Sequence, residues 1–180
     1  VEPIGNVTGC YLTDIYEAET YTAERIYEMS SNRLSIRMDP SKIIKQVEKE
    51  QGITYSEDQK IILTTALNHQ IAVLTGGPGT GKTTSICAIL AAFETIGLET
   101  KLCAPTGRAA KRMTELTGRE AYTLHRLLGA QMSDADEMTV FNFNEEEPLS
   151  CDAVIVDECS MVDITLMKAL LCALPETCRV

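Results

Sequence analysis

The stretch that decides the fold is a glycine-rich run, Gly76-Gly77-Pro78-Gly79-Thr80-Gly81-Lys82-Thr83, which fits the pattern G-x-x-x-x-G-K-[ST]. The apolar run Ile71–Leu74 precedes it, and a helical pattern over residues 83–96, closed by Gly97, comes after it. This order of strand, loop and helix predicts a phosphate-binding loop, because the backbone N–H groups of such a loop converge on an anion at a helix N-terminus. A plain glycine-rich turn before a helix would not require Lys-Thr at the helix start.

The side chains at the end of the run indicate a nucleoside triphosphate as the ligand. Lys82 is long enough to reach the β- and γ-phosphates, and the Thr83 hydroxyl can hold Mg²⁺. The candidate nucleotide-binding residues of this loop are Gly77, Pro78, Gly79, Thr80, Gly81, Lys82, Thr83 and Thr84.

An acidic pair later in the chain supplies the partner of this loop. The apolar run 153–156 predicts a buried strand, and Asp157-Glu158 come directly after it. Asp157 is placed to hold the Mg²⁺, and Glu158 to orient and deprotonate an attacking water. The alternative is a solvated strand end. We predict Lys82, Asp157 and Glu158 as the catalytic residues, with Thr83 and Asp157 as the metal ligands.

Gln59 has two possible roles. Ser56-x-x-Gln59 fits a capping box at the start of a helix. A glutamine just ahead of a phosphate loop can also recognise the edge of adenine, since its amide donates and accepts hydrogen bonds at once.

The whole pattern predicts an α/β fold: a P-loop NTPase (RecA-like) parallel sheet with flanking helices, preceded by a small helical segment. We assign residues 1–50 to the helical lead-in and 51–180 to an ATPase domain, which we expect to be the first RecA-like domain, C-terminally truncated. The predicted strands are 71–74, 100–103 and 153–156. The predicted helices are 11–29, one from Asp39-Pro40 to Gln51, 57–67, 83–96, 108–116, 122–128 and 164–174, and the acidic stretch 131–150 is a solvated loop or hairpin.

Cysteine usage and hydropathy limit the setting. The cysteines number seven, with no C-x-x-C spacing, which is typical of reduced thiols in a cytoplasmic protein. A metal–thiolate site is not expected, because Cys and His do not cluster. No apolar run is long enough to cross a membrane, so no membrane partner is expected.

Three further segments resemble one helicase family. They are APTGRAAKRM at 104–113, TLHRLLG at 123–129 and DECSMVD at 157–163. They resemble motifs Ia, Ib and II of the RecD/TraA-type branch of superfamily 1 DNA helicases. The lead-in YLTDIYEAETYTAERI resembles that of long-form RecD-like members.

This resemblance implies an ATP-driven motor that moves 5′ to 3′ on single-stranded DNA and unwinds duplex, with ATP and Mg²⁺ as cofactors. Thr106 and Arg108 would contact the DNA backbone, and His125 and Arg126 would line the path of the strand. A solvated helix face is the simpler alternative for Arg108, and a local hydrogen bond for His125. The implied partners are single-stranded DNA, junctions of single and double strand, and a second RecA-like domain of the same chain.

The family pattern also places motif III directly after residue 180. Its strand would lie between the P-loop strand and the strand 153–157. We therefore expect a slot between those two strands, and no direct hydrogen bonds across it. We also expect the 180-residue chain alone to be inactive as a helicase.

Charge is uneven along the chain. Asp and Glu outnumber Lys and Arg by 26 to 16, for a net charge of −10, which by itself disfavours a nucleic-acid partner. Residues 101–128 are basic, however, and they hold the motifs that resemble DNA contacts. The alternatives left open are another superfamily 1 translocase or RNA helicase, and a nucleotide-binding module that does not hydrolyse its ligand.

Overall fold

The computed structural model describes residues 2–4, 7–34, 38–76, 81–132 and 139–180. The helices are α1 Thr13–Ser31, α2 Pro40–Gln51, α3 Glu57–Asn68, α4 Lys82–Thr95, α5 Gly107–Thr117, α6 Leu124–Leu127 and α7 Ile164–Ala173. The strands are β1 Glu2–Ile4, β2 Val7–Gly9, β3 Thr100–Ala104, β4 Ala121–Thr123, β5 Ala130–Met132, β6 Thr139–Phe141 and β7 Ala153–Val156.

The central sheet is parallel and runs in the order β4-β3-β7. Cys103 of β3 lies opposite both Tyr122 of β4 and Val156 of β7. Parallel strands covered on both faces are built from apolar residues, and Leu102, Cys103 and Ala104 are all buried. The strands predicted at 100–103 and 153–156 are therefore confirmed.

Helices cover both faces of the sheet. Successive strand residues point to opposite faces, and β7 shows this clearly. Ala153 packs into a cluster formed by α2, α3 and α4, which includes Val47, Leu67 and Phe93. Val154 packs into the other cluster, formed largely by α1, α6 and α7. The predicted α/β architecture is confirmed.

The lead-in helices share these cores. Met29 of α1 is fully buried with Leu170 of α7. Ile43 and Val47 of α2 pack against α3 and α4. A domain boundary at residue 50 stays a prediction.

Helix ends agree with the signals in the sequence. The Asp39 side chain accepts a hydrogen bond from the N–H of Ser41, and α2 ends at Gly52 in the left-handed conformation. Ser56 and Gln59 form a complete capping box at α3. Caps of this kind satisfy the N–H and C=O groups that a helix end leaves unpaired.

The prediction of a buried strand at Ile71–Leu74 is wrong. This segment forms no regular strand, and Val73 is 83% exposed. In the described part of the chain, the backbone of residues 70–74 pairs only with Val180, through Ala72 N to Val180 O at 2.9 Å and Val180 N to Gln70 O at 2.8 Å. Two bonds on one side are too few to fix an extended ladder.

The expected separation of the P-loop segment from β7 is present. Arg179 and Val180 lie between them, because Arg179 bridges to Ala153 in parallel while Val180 bonds to Gln70 and Ala72. No hydrogen bond joins residues 70–76 directly to β7 in the described part of the chain. The slot is thus occupied at its start by the chain's own last residues.

The helix predicted over 122–128 is wrong in its first part. Residues 121–123 form β4, paired with Leu102–Ala104 of β3, and only Leu124–Leu127 are helical. The Thr123 side chain caps this turn by accepting from Arg126 N at 3.2 Å. Sheet pairing outweighed the local helical pattern.

The acidic stretch contains a hairpin, one of the two structures that its sequence predicts. β5 and β6 are antiparallel, with Ala130 opposite Phe141, and residues 133–138 lie outside the described part. A second antiparallel pair, β1 and β2, was not predicted from the sequence. Among the described helices, none is both long and apolar enough to span a membrane.

Candidate nucleotide site and nucleic-acid contact segment

The glycine-rich loop is described at its two ends. Gly77, Pro78, Gly79 and Thr80 lie outside the described residues. Lys82, the first residue of α4, donates from Nζ to the carbonyl oxygen of Gly76 at 2.7 Å. The ammonium group therefore bridges the two ends of the loop, where a phosphate would meet a positive charge and a helix N-terminus together.

Gly81 places the start of α4 next to Gln59. Its φ of 84° lies in the left-handed region, which favours glycine. A Cβ at this position would lie 3.8 Å from Nε2 of Gln59. The side-chain oxygen Oε1 of Gln59 accepts a hydrogen bond from Ser56 N at 2.9 Å. The capping box therefore holds the side-chain amide group of Gln59 near the loop. The capping role of Gln59 is confirmed, whereas recognition of an adenine edge stays a prediction.

Asp157 is fixed by the backbone of the sheet. Its N–H donates to the Cys103 carbonyl at 2.9 Å, which extends the pairing of β7 with β3 by one residue. Its Oδ1 accepts from Glu158 N at 2.9 Å. One side of the carboxylate is therefore held by the chain, at the carboxyl edge where parallel sheets bind ligands.

Glu158 adopts a strained backbone conformation. Its φ of 54° makes it the one non-glycine residue with positive φ in the described chain. For a residue with a Cβ this conformation costs about 1 kcal/mol. Such strain clusters at functional sites, where the surroundings enforce it. It turns the exposed Glu158 side chain out of the line of β7 at the start of a 3-10 turn, Cys159–Met161.

The chemistry of Thr83 and Asp157 fits Mg²⁺. A hydroxyl and a carboxylate are hard oxygen donors, and Mg²⁺ uses one or two protein oxygens together with phosphate and water. Asp157 is half-buried with only one carboxylate oxygen bonded to the described chain. No group of three or more His, Cys, Asp or Glu side chains forms a metal cage in the described residues.

Asp163 closes the segment that begins at Asp157. Its Oδ1 accepts from Thr165 Oγ1 at 2.6 Å and from Leu166 N at 2.8 Å, capping α7. The bond from Thr165 is the main cause of a lowered pKa of Asp163, and the nearby His125 contributes. His125 also lies beside the Phe141 ring, with 6.1 Å between centroids. The segment 123–129, which resembles motif Ib, therefore lies close to the segment 157–163.

Thr106 and Arg108 lie at the start of α5. The Thr106 hydroxyl accepts from Ala109 N at 3.2 Å and so acts as the N-cap of the helix. A hydroxyl that accepts this bond can still donate to a phosphate. Arg108 is exposed and makes no ion pair with a described residue.

The described ion pairs show which cations of the basic segment 101–128 have an acidic partner. Most of its cations have acidic neighbours, at Lys101–Glu99 2.7 Å, Lys111–Glu115 3.9 Å, Arg119–Glu94 2.7 Å and Arg126–Glu120 3.7 Å. Arg126 also lies over the Tyr122 ring at 5.0 Å. Among the described contacts Arg108 and Arg112, four apart on the exposed side of α5, have no acidic partner.

Gln70 is a residue that the sequence motifs did not single out. It is 1% exposed, and its amide donates to the carbonyls of Glu176 at 2.7 Å and Cys178 at 3.1 Å. Its side-chain oxygen accepts from Asn32 at 3.0 Å. The signal in the sequence that could have identified Gln70 was a polar residue directly before the apolar run Ile71–Leu74. Through these hydrogen bonds, Gln70 connects the end of α1 and the segment 176–180 to residues 70–76, which lead into the phosphate loop.

The fold and this site define a class of protein, the P-loop NTPases, and the chain belongs to the AAA domain family, which residues 59–180 match. It is 48% identical over 125 residues to the ATP-dependent RecD2 DNA helicase of Deinococcus radiodurans, covering 69% of this chain. It is 40% identical over 145 residues to the RecBCD enzyme subunit RecD of Mycolicibacterium smegmatis, covering 67%.

A third relative is the ATP-dependent DNA helicase dda of Enterobacteria phage T4, 37% identical over 114 residues, or 62% of this chain. The resemblance to RecD-type helicases is confirmed. The matched region spans 17% of the D. radiodurans relative and 26% of the other two.

Proposed function

We propose that this chain is part of the motor of an ATP-dependent DNA helicase, which couples ATP hydrolysis to 5′–3′ movement on single-stranded DNA and to unwinding of duplex. The observation that carries the proposal is the acid pair, Asp157 held by Cys103 and Glu158 in a strained conformation, in a chain whose Lys82 begins the helix after a phosphate loop. The names of the three relatives support it.

The residues have separate roles in hydrolysis. Lys82 exchanges its bond with the Gly76 carbonyl for the β- and γ-phosphates and offsets their charge. Thr83 and Asp157 would hold Mg²⁺, which when bound would neutralise charge on the phosphates. Glu158 orients the attacking water and accepts its proton. Gln59, with Gly77, Pro78, Gly79, Thr80, Gly81 and Thr84, holds the nucleotide.

Single-stranded DNA would pass over the carboxyl edge of the sheet. Thr106, Arg108, His125 and Arg126 are the proposed contacts, and the described ion pairs favour Arg108 among the cations. A second RecA-like domain and junctions of single and double strand are the further partners. The proposed setting is the cytoplasm.

The DNA contact is tested by salt dependence. In the gene's full-length product, Arg108→Ala should weaken binding to single-stranded oligonucleotides of any sequence and lower the slope of log K against log salt by about 0.7. The matched control is Arg119→Ala, since Arg119 is paired with Glu94 at 2.7 Å. Fluorescence anisotropy at several salt concentrations measures both. Equal slopes for wild type and Arg108→Ala would remove Arg108 from the strand's path.

A further inference from the structure

Two cysteines meet beside the catalytic strand. The sulfur atoms of Cys151 and Cys178 lie 3.9 Å apart, and both thiols are free. Cys151, two residues before β7, is half-buried, and Cys178 is 1% exposed. In the described chain no other two thiols are in hydrogen-bond contact.

Backbone hydrogen bonds between the residues that follow the two cysteines hold their segments together. Arg179 N donates to the Asp152 carbonyl at 2.9 Å, and Val154 N donates to the Arg179 carbonyl at 2.8 Å. The residues next to each cysteine are therefore paired. A disulfide has sulfur atoms about 2 Å apart. The two sulfur atoms, now 3.9 Å apart, must therefore approach by about 2 Å to form the bond.

We propose that Cys151 and Cys178 form a redox modification site, oxidised by hydrogen peroxide to a disulfide that closes the segment 151–178. That segment holds β7, the acid pair Asp157-Glu158 and α7. The bond fixes residue 178 against the start of β7, where the chain now pairs through backbone bonds alone. The proposal does not depend on nucleotide hydrolysis.

The environment decides which sulfur reacts first. The hydrogen bond from the Cys178 thiol lowers the pKa of Cys151, and the Lys101 ammonium group adds to this effect. The same bond, together with burial, raises the pKa of Cys178. The Cys151 thiol therefore loses its proton more readily than the Cys178 thiol, and it is also the more accessible of the two sulfurs. By contrast, burial raises the pKa of Cys103 to about 12, which makes that neighbouring thiol inert.

The reaction balances in two steps. The Cys151 thiolate attacks one oxygen of the peroxide; an S–O bond forms, the O–O bond breaks, and hydroxide leaves and takes up a proton as water. The Cys178 sulfur, giving up its proton, then attacks the sulfenic acid; the S–S bond forms, the S–O bond breaks, and a second water leaves. Two thiols are oxidised by two electrons and one peroxide is reduced.

Peptide mapping tests the site. The gene's full-length product is treated with hydrogen peroxide, quenched with catalase, alkylated and digested with trypsin. Cleavage after Arg126, Lys168 and Arg179 leaves Cys151 in peptide 127–168 and Cys178 in peptide 169–179. The expected product is a species linking these two peptides, which dithiothreitol separates.

The neighbouring cysteines provide matched controls. Cys159 shares a peptide with Cys151, and Cys172 shares one with Cys178, so Cys159→Ser and Cys172→Ser should keep the link. Cys151→Ser should lose it. Failure of the wild type to form the link at peroxide doses that oxidise the exposed Cys10 would overturn the proposal, and so would a link that persists in Cys151→Ser. The wild-type result needs no variant that might misfold.

Discussion

The acid pair Asp157-Glu158 follows β7, a strand that is hydrogen-bonded along both of its edges. The glycine-rich loop follows residues 70–76, whose described backbone hydrogen bonds lie along one edge. β7 pairs with β3 over four residues and with Arg179 on its other edge. Residues 70–76 pair with Val180 alone in the described chain. One half of the proposed nucleotide site is thus positioned by sheet pairing.

Side chains position the other half. Gln70 anchors the approach to the loop, Lys82 joins its two ends, and Gln59 lies against Gly81. Substitutions should therefore act differently on the two halves. Near the loop, single side chains should control both stability and chemistry, while near β7 the backbone keeps its geometry when a side chain changes.

The largest expected effect is that of Lys82→Ala. Loss of the ammonium group removes the charge that meets the phosphates, so ATP hydrolysis by the full-length product should fall by about 10²–10³-fold. Steady-state phosphate release measures this. Lys60→Ala is the control, since Lys60 forms an exposed ion pair with Glu57 on α3. A wild-type rate in Lys82→Ala would show that the loop does not hold the phosphates of the hydrolysed nucleotide.

Gln70→Leu should be the most destabilising change near the loop. It leaves two carbonyls and the Asn32 amide without their partner in a buried site, which should cost about 2–4 kcal/mol of unfolding free energy. Gln46→Leu is the matched control, because Gln46 bonds only to Glu50 on the exposed side of α2. Urea unfolding of both variants measures the difference. Equal stability would mean that the side-chain anchor is unimportant.

Gly81→Ala should have a smaller effect. The left-handed backbone at residue 81 disfavours a Cβ by about 1 kcal/mol, and the new methyl would contact the Gln59 amide. Gly107→Ala at the start of α5 is the control, since a Cβ there would have no atom within 4 Å and the φ of Gly107 is not positive. Thermal unfolding should show a loss for Gly81→Ala and none for Gly107→Ala.

The elements that could be predicted well from the sequence are those with strong local signals. The capping box at Ser56 and the apolar strand before Asp157 formed as expected. The separation of the loop segment from β7 also agreed with the expectation drawn from the family resemblance. Local patterns carry this information because each needs only nearby residues.

The errors arose where distant partners decide the structure. Ile71–Leu74 is as apolar as β7, but its backbone finds only Val180 in the described chain, so no regular strand forms. Tyr122 belongs to β4 because Cys103 lies opposite it. Gln70 gave no recognisable motif, since its three partners lie far away in sequence. A count of charges also could not show that most cations in 101–128 form ion pairs with acidic side chains.

The most direct test is the stimulation of ATP hydrolysis by single-stranded DNA in the full-length product, measured beside Glu158→Gln. We predict hydrolysis that rises with DNA more than with RNA of equal length. Glu158→Gln should still bind ATP but lose that hydrolysis, because Glu158 accepts the proton of the attacking water. Hydrolysis at the wild-type rate in Glu158→Gln would contradict the proposed function, and so would a rate of ATP hydrolysis that does not change when DNA is added.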